Sequence, residues 1–108
     1  MSIKLPKLIE NYFSADSDAG NDIAELFAKN AIVIDEKQTY NGQDAIRKWK
    51  SDVTTKFTYE SVPFACENLD SKTVVTSKLT GDFPGSPIDL RYFFGLEEDK
   101  IAYLEIKP

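Results

Sequence analysis

The chain of 108 residues contains no histidine, and that single absence closes several chemical routes. Without imidazole there is no Ser-His-Asp or Cys-His nucleophile, no His-ligated zinc or iron, and no imidazole general acid or base. Cysteine is nearly absent as well. The one thiol, Cys66, cannot form an internal disulfide, and with no histidine beside it a closed N/S metal sphere cannot be assembled within one chain. No metal and no cofactor are therefore expected, and Cys66 reads as a small core residue in an apolar strand. Positive charge is in deficit: 13 Lys+Arg against 18 Asp+Glu give a net charge of -5. No Lys/Arg cluster stands out, which argues against nucleic acid or an anionic membrane as partner. No apolar run approaches the roughly 18 residues of a membrane-spanning helix. The segment from Met1 to Ser14 interleaves Lys4, Lys7, Glu10 and Asn11 with its apolar residues, unlike a signal-peptide core. The expectation is a soluble cytoplasmic protein.

What is present suffices for one core. Hydrophobic residues make up 42% of the chain, enough for a single domain over residues 1–108 without disulfide or metal support. Leu5, Leu8, Ile9, Tyr12 and Phe13 recur at helical spacing around Pro6, so residues 5 to 14 read as an amphipathic helix. The run from Ser14 to Asp22 carries turn and cap chemistry. Asp16, Asp18, Gly20 and Asp22 do not make an EF-hand, because a glycine falls at the fifth place and no glutamate at the twelfth. Ile23, Leu26 and Phe27 mark a short second helix ending near Lys29-Asn30. Ala31 to Ile34 is a β-branched strand and Tyr40-Asn41-Gly42 a turn. A third helix buries Ala45, Ile46, Trp49 and Val53, with Lys48, Lys50 and Asp52 pointing elsewhere. Four β segments follow near 58–68, 73–82, 88–97 and 101–107, and their short links favour an antiparallel meander. The plan is α+β: three N-terminal helices packed on one side of a curved antiparallel sheet.

This element order, with Ala31-Ile32-Val33-Ile34-Asp35 following a short helix and Tyr40-Asn41-Gly42-Gln43-Asp44-Ala45-Ile46-Arg47-Lys48-Trp49 after it, resembles the NTF2-like superfamily, in particular its SnoaL-like and ketosteroid-isomerase-like members. The likeness runs over essentially the whole chain, and the order of elements carries more of it than any local motif. It implies a cone whose open end leads to an apolar pocket for a small molecule. It also implies homodimers formed through the sheet, and a superfamily of isomerases, dehydratases, cyclases and epoxide hydrolases alongside domains with no known reaction.

On that resemblance Asp35 stands where the isomerase branch carries its general base, and Tyr12 where it carries an oxyanion-hole tyrosine. A carboxylate at a pocket mouth can take a proton from carbon next to a carbonyl and return it elsewhere, and a phenol can donate to the developing enolate oxygen. The plainer readings are a solvated strand end beside Glu36 and Lys37, and a core tyrosine. The branch's second oxyanion donor, a protonated acid, is replaced here by Tyr92; Asp89 lies on the opposite strand face. The cyclases and dehydratases rely on histidine, which is missing, and an Asp-Arg-Asp set does not assemble from Asp35, Arg47, Asp89 and Arg91. Asp35, Tyr12 and Tyr92 are thus expected to converge on one cavity, where burial among aromatics raises the Asp35 pKa. The function expected is a pocket protein for a small apolar molecule, either an isomerase-like proton-transfer enzyme with Asp35 as base or a non-catalytic binding or dimerisation module of the same fold.

Overall fold

A computed structural model describes residues 5–16, 23–56 and 58–108, the side chains of Asp16 and of 53–56 excepted. The caps expected between Asp18 and Asp22, and the side chains of Val53 and Phe57, lie outside the described residues. Helix α1 spans Lys7–Asp16. The Pro6 carbonyl accepts its first helical hydrogen bond from the Glu10 N–H at 2.9 Å, which places the proline at the mouth of the helix, where its missing N–H is harmless. Strand β1 spans Phe27–Asp35, β2 Gln38–Asn41, helix α2 Gly42–Lys56, β3 Tyr59–Leu69, β4 Lys72–Gly81, β5 Ile88–Glu97 and β6 Lys100–Lys107.

Two expectations change at the N-terminal half. The described residues hold two α-helices, not three: the second is only a 3-10 turn at Ile23–Leu26, and Phe27 already begins β1. The apolar spacing of Ile23, Leu26 and Phe27 suits a helix, but Phe27 pairs with Ile101 of β6, and that tertiary pairing outweighs the local pattern. The second change concerns Tyr40 and Asn41, which lie in β2 and pair with Val33 and Ile32. The turn falls earlier, at Glu36-Lys37, where both residues are left-handed, at φ 53° and 67°. This is the two-residue geometry that matches the twist of a hairpin, reached without the usual asparagine and glycine.

The six strands form one sheet in the order β2-β1-β6-β5-β4-β3. The four C-terminal strands run as the expected antiparallel meander, and β6 closes against β1 in parallel. Register shifts at Phe27/Ile32, Pro63/Ala65 and Gly95/Leu96 interrupt the ladders, and such bulges bend a sheet. Pro63 sits in β3, an edge strand, so its absent N–H costs no ladder bond on the open side. One face of the curved sheet packs under α1. Ile9, Tyr12 and Phe13 of α1 meet Val75, Tyr92, Phe94 and Leu104 in one buried cluster. The rings pack edge to face: Tyr12 lies 5.3 Å from Phe94 and 6.2 Å from Tyr92, and Phe13 lies 5.1 Å from Tyr92. Cys66, expected in the core, is exposed, because β3 is the strand farthest from β1 and its outer half lies beyond the cluster.

Candidate functional site

The hairpin turn after Asp35 and the start of α2 determine where this carboxylate goes. Gly42 opens α2 with φ +86°, and Gln43 Nε2 donates to the Phe27 carbonyl at 2.8 Å, tying the helix start to β1. About two turns after Gly42, Trp49 faces back across the sheet end, 3% exposed. Its Nε1–H donates to Asp35 Oδ2 at 3.0 Å. Trp49 is therefore both core residue and carboxylate partner; reading it as core alone missed half of its role. Burial pushes the Asp35 carboxyl above its ordinary value, and the charge of Glu36 adds to the rise. The Trp49 hydrogen bond and the Lys50 charge pull the other way without cancelling it.

Asp35 lies in the wall of a cavity of about 520 Å³ that is open to solvent on one side. Leu79, Ile88, Leu90, Tyr92 and Ile106 supply an apolar wall from the sheet, and Phe83 and Pro84 close it from the β4–β5 loop. That loop is held down by Asp82, whose Oδ1 accepts the Thr58 N–H at 2.8 Å, and by Ser86, whose hydroxyl accepts the Gly81 N–H at 2.8 Å. From the helix side come Trp49, Lys50 and Asp52, and from β3 Tyr59. Asp35 and Tyr92 thus share one cavity. Tyr12 does not reach its wall: it is fully buried behind Tyr92, ring against ring.

Lys50 and Asp52 are cavity residues that the helical pattern places on the outside of α2, and Lys50 is the one held inward. It is half-buried, and its Nζ donates to the Tyr59 hydroxyl at 3.2 Å. The ammonium stands 4.5 Å from the Trp49 ring centre and 5.7 Å from that of Tyr12. The available signal was spacing: Lys50 follows Ile46 by four positions and so shares its side of the helix. The arginines are elsewhere. Arg47 pairs with Asp44 at 3.0 Å on the exposed side of α2, and Arg91 lies against Phe93 on the far face of the sheet. Among the described residues no group of three or more His, Cys, Asp or Glu side chains is placed to hold a metal ion.

The same architecture occurs in solved proteins. A protein from Catenulispora acidiphila with a ketosteroid isomerase-like fold, solved in complex with trimethylamine, is similar over 97% of this chain and 87% of its own, with 13% identity and a TM-score of 0.85. A candidate SnoaL-like polyketide cyclase from Jannaschia sp. CCS1 matches over 99% and 90%, with 17% identity and a TM-score of 0.75. At such identities the likeness is one of fold. A candidate polyketide cyclase from Sinorhizobium meliloti is much nearer, 36% identical over 95% of both chains with a TM-score of 0.90. The chain belongs to the NTF2-like superfamily. No family model matches the sequence, and no curated protein does. Within the NTF2-like cone the cavity just described lies between α2, the end of β1 and the concave side of the meander, and among the described residues no helix is long and apolar enough to cross a membrane.

Proposed function

We propose that the chain is one SnoaL-like domain over residues 1–108 whose pocket takes a small, largely apolar organic molecule and moves a proton on it, with Asp35 as general base. The observation that carries this reading is a carboxylate made more basic by burial at the wall of an otherwise apolar cavity, held in one orientation by the Trp49 indole. Tyr92 shares the cavity and is the phenol donor of this reading; Tyr12 acts through it, fixing the Tyr92 ring by edge contact. An exposed free thiol at Cys66 suits a reducing cytoplasm. The similar Sinorhizobium meliloti protein is a candidate polyketide cyclase, which supports a small organic substrate for this pocket.

The test is isomerisation of a simple β,γ-unsaturated cyclic ketone to its conjugated isomer, followed by ultraviolet absorbance. Wild-type protein is expected to accelerate the reaction beyond carboxylate buffer, and Asp35→Asn to abolish the gain while keeping its circular dichroism. An unchanged rate in Asp35→Asn refutes the assignment of the base. Saturable binding of the ketone without turnover leaves a non-catalytic binding module in its place.

The same reading includes a homodimer formed through the sheet face turned away from α1. Val62 and Phe64 are 53% and 48% exposed on β3, and Phe93 lies on that outer face, apart from the buried cluster. Light scattering at micromolar concentration is expected to give twice the chain mass; a monomer refutes it.

A further inference from the structure

We propose that Lys50 and Tyr59 form an oxyanion site in this cavity, receiving the oxygen of an enolisable ketone or a planar phenolic molecule while Asp35 faces the carbon that loses its proton. The inference rests on the proton-transfer reading of the pocket and adds a cation and a second phenol to the Tyr92 donor that this reading already names.

Among the described residues lining the cavity Lys50 is the cation, against the carboxylates Asp35, Glu36 and Asp52. Two of those three are solvated. Glu36 is exposed in the hairpin turn, and Asp52 is exposed and pairs with Lys48 at 3.4 Å, so water screens both. Lys50 is held differently. Its Nζ is fixed by the Tyr59 hydroxyl at 3.2 Å and by the face of Trp49 at 4.5 Å, and the same indole fixes Asp35 through its N–H. One side chain therefore sets the spacing between a base and a cation that flank one cavity.

The charge balance of the reaction fits this pair. Asp35 removes a proton from carbon: the C–H bond breaks, an O–H bond forms on the carboxyl, and the C–H electron pair moves to the carbonyl oxygen as an enolate. The protonated Asp35 then returns its proton to another carbon of the enolate. During the first step one negative charge leaves Asp35 and arrives on the substrate oxygen, so the site's net charge is constant. An ammonium placed between the two positions stabilises the carboxylate before the step and the enolate after it, with no charge left unbalanced in a half-desolvated site. A phenol that accepts a hydrogen bond from an ammonium is itself a stronger donor, which gives Tyr59 a part in the same oxygen site.

The experiment uses para-nitrophenolate as an enolate mimic and nitrobenzene as its uncharged counterpart, titrated by calorimetry against wild type, Lys50→Met, Tyr59→Phe and Asp35→Asn. Lys50→Met is expected to weaken phenolate binding about tenfold and leave nitrobenzene binding unchanged, the signature of a lost charge-assisted contact in an intact pocket. Tyr59→Phe should weaken phenolate by a smaller factor, and Asp35→Asn should strengthen it by removing a like charge. Equal loss of both ligands in Lys50→Met, or no loss of either, overturns the oxyanion site. Failure of the base is read separately, from turnover in Asp35→Asn, and leaves the phenolate titration free to succeed or fail independently.

Discussion

Replacing Trp49 by phenylalanine tests the central contact of the site. The substitution keeps a ring in the core but deletes the Nε1–H that donates to Asp35 Oδ2 at 3.0 Å. A hydrogen bond to a charged acceptor contributes roughly 1.5–3 kcal/mol, and because Asp35 is partly exposed the lower end applies, about 1.5 kcal/mol. The smaller ring adds a pH-independent packing loss of about 1 kcal/mol. The pH dependence follows from the raised Asp35 pKa. A carboxyl whose folded pKa lies above its unfolded value binds its proton more tightly in the folded state, so its contribution is fully present below the unfolded value and is lost as pH rises through the folded one. Losing the indole donor raises the folded pKa further, which widens that loss in the variant. Urea unfolding should thus show a penalty of about 2.5 kcal/mol near neutral pH and only the packing part well below the ordinary carboxylate value of 3.8, where Asp35 is protonated in both states. Trp49 is the single tryptophan, so far-ultraviolet circular dichroism has to follow the transition. The rising limb of any pH–rate profile should move to higher pH in the same variant. A penalty equal at both pH values would show that the indole does not stabilise the carboxylate, and the argument for a tuned base would fail with it.

Three further outcomes follow from backbone geometry and packing. Gly42→Ala should cost about 1 kcal/mol in urea unfolding, because φ +86° is open to glycine and strained for alanine, and an unchanged midpoint would contradict the left-handed helix start. The double change Glu36→Asn, Lys37→Gly should stabilise by about 1 kcal/mol by relieving two left-handed residues in the hairpin. It also removes the Glu36 charge that raises the Asp35 pKa, so an activity limb that moves up in pH rather than down would refute that electrostatic link. Phe94→Ala, which empties a fully buried position between Tyr12 and Tyr92, should cost about 3–5 kcal/mol in the same assay, and a loss under 1 kcal/mol would place the core elsewhere.

The meander was legible because its signals are local and repeated. Leu90, Tyr92 and Phe94 alternate with Asp89, Arg91 and Phe93, and each half of that alternation went to its own face of the sheet. Ala31 to Ile34 read correctly as strand, but Ile23 to Asn30 was not legible in the same way, because its outcome depends on β6. Phe27 to Asn30 become strand only through the parallel pairing that brings Ile101 and Tyr103 alongside β1, a contact across more than half the chain that no window of neighbouring residues contains.

The site shows the same divide more sharply. Asp35 could be singled out because the order of elements around it resembles the isomerase branch, yet its chemistry is set by two residues of α2 that the helical pattern sorted into opposite classes. Trp49 was assigned to the core and Lys50 to solvent, since an apolar stripe separates residues by polarity and not by what stands opposite them. In the folded chain the middle of α2, at Trp49, Lys50 and Asp52, borders an open cavity rather than a filled core. A lysine at the margin of the stripe can therefore lay its methylenes along Trp49 and place its ammonium at Tyr59, keeping its charge where water still reaches it. Polarity fixes which residues avoid a dry core, but a half-open pocket accepts both kinds side by side, and there an apolar indole can serve a carboxylate and a cation at once.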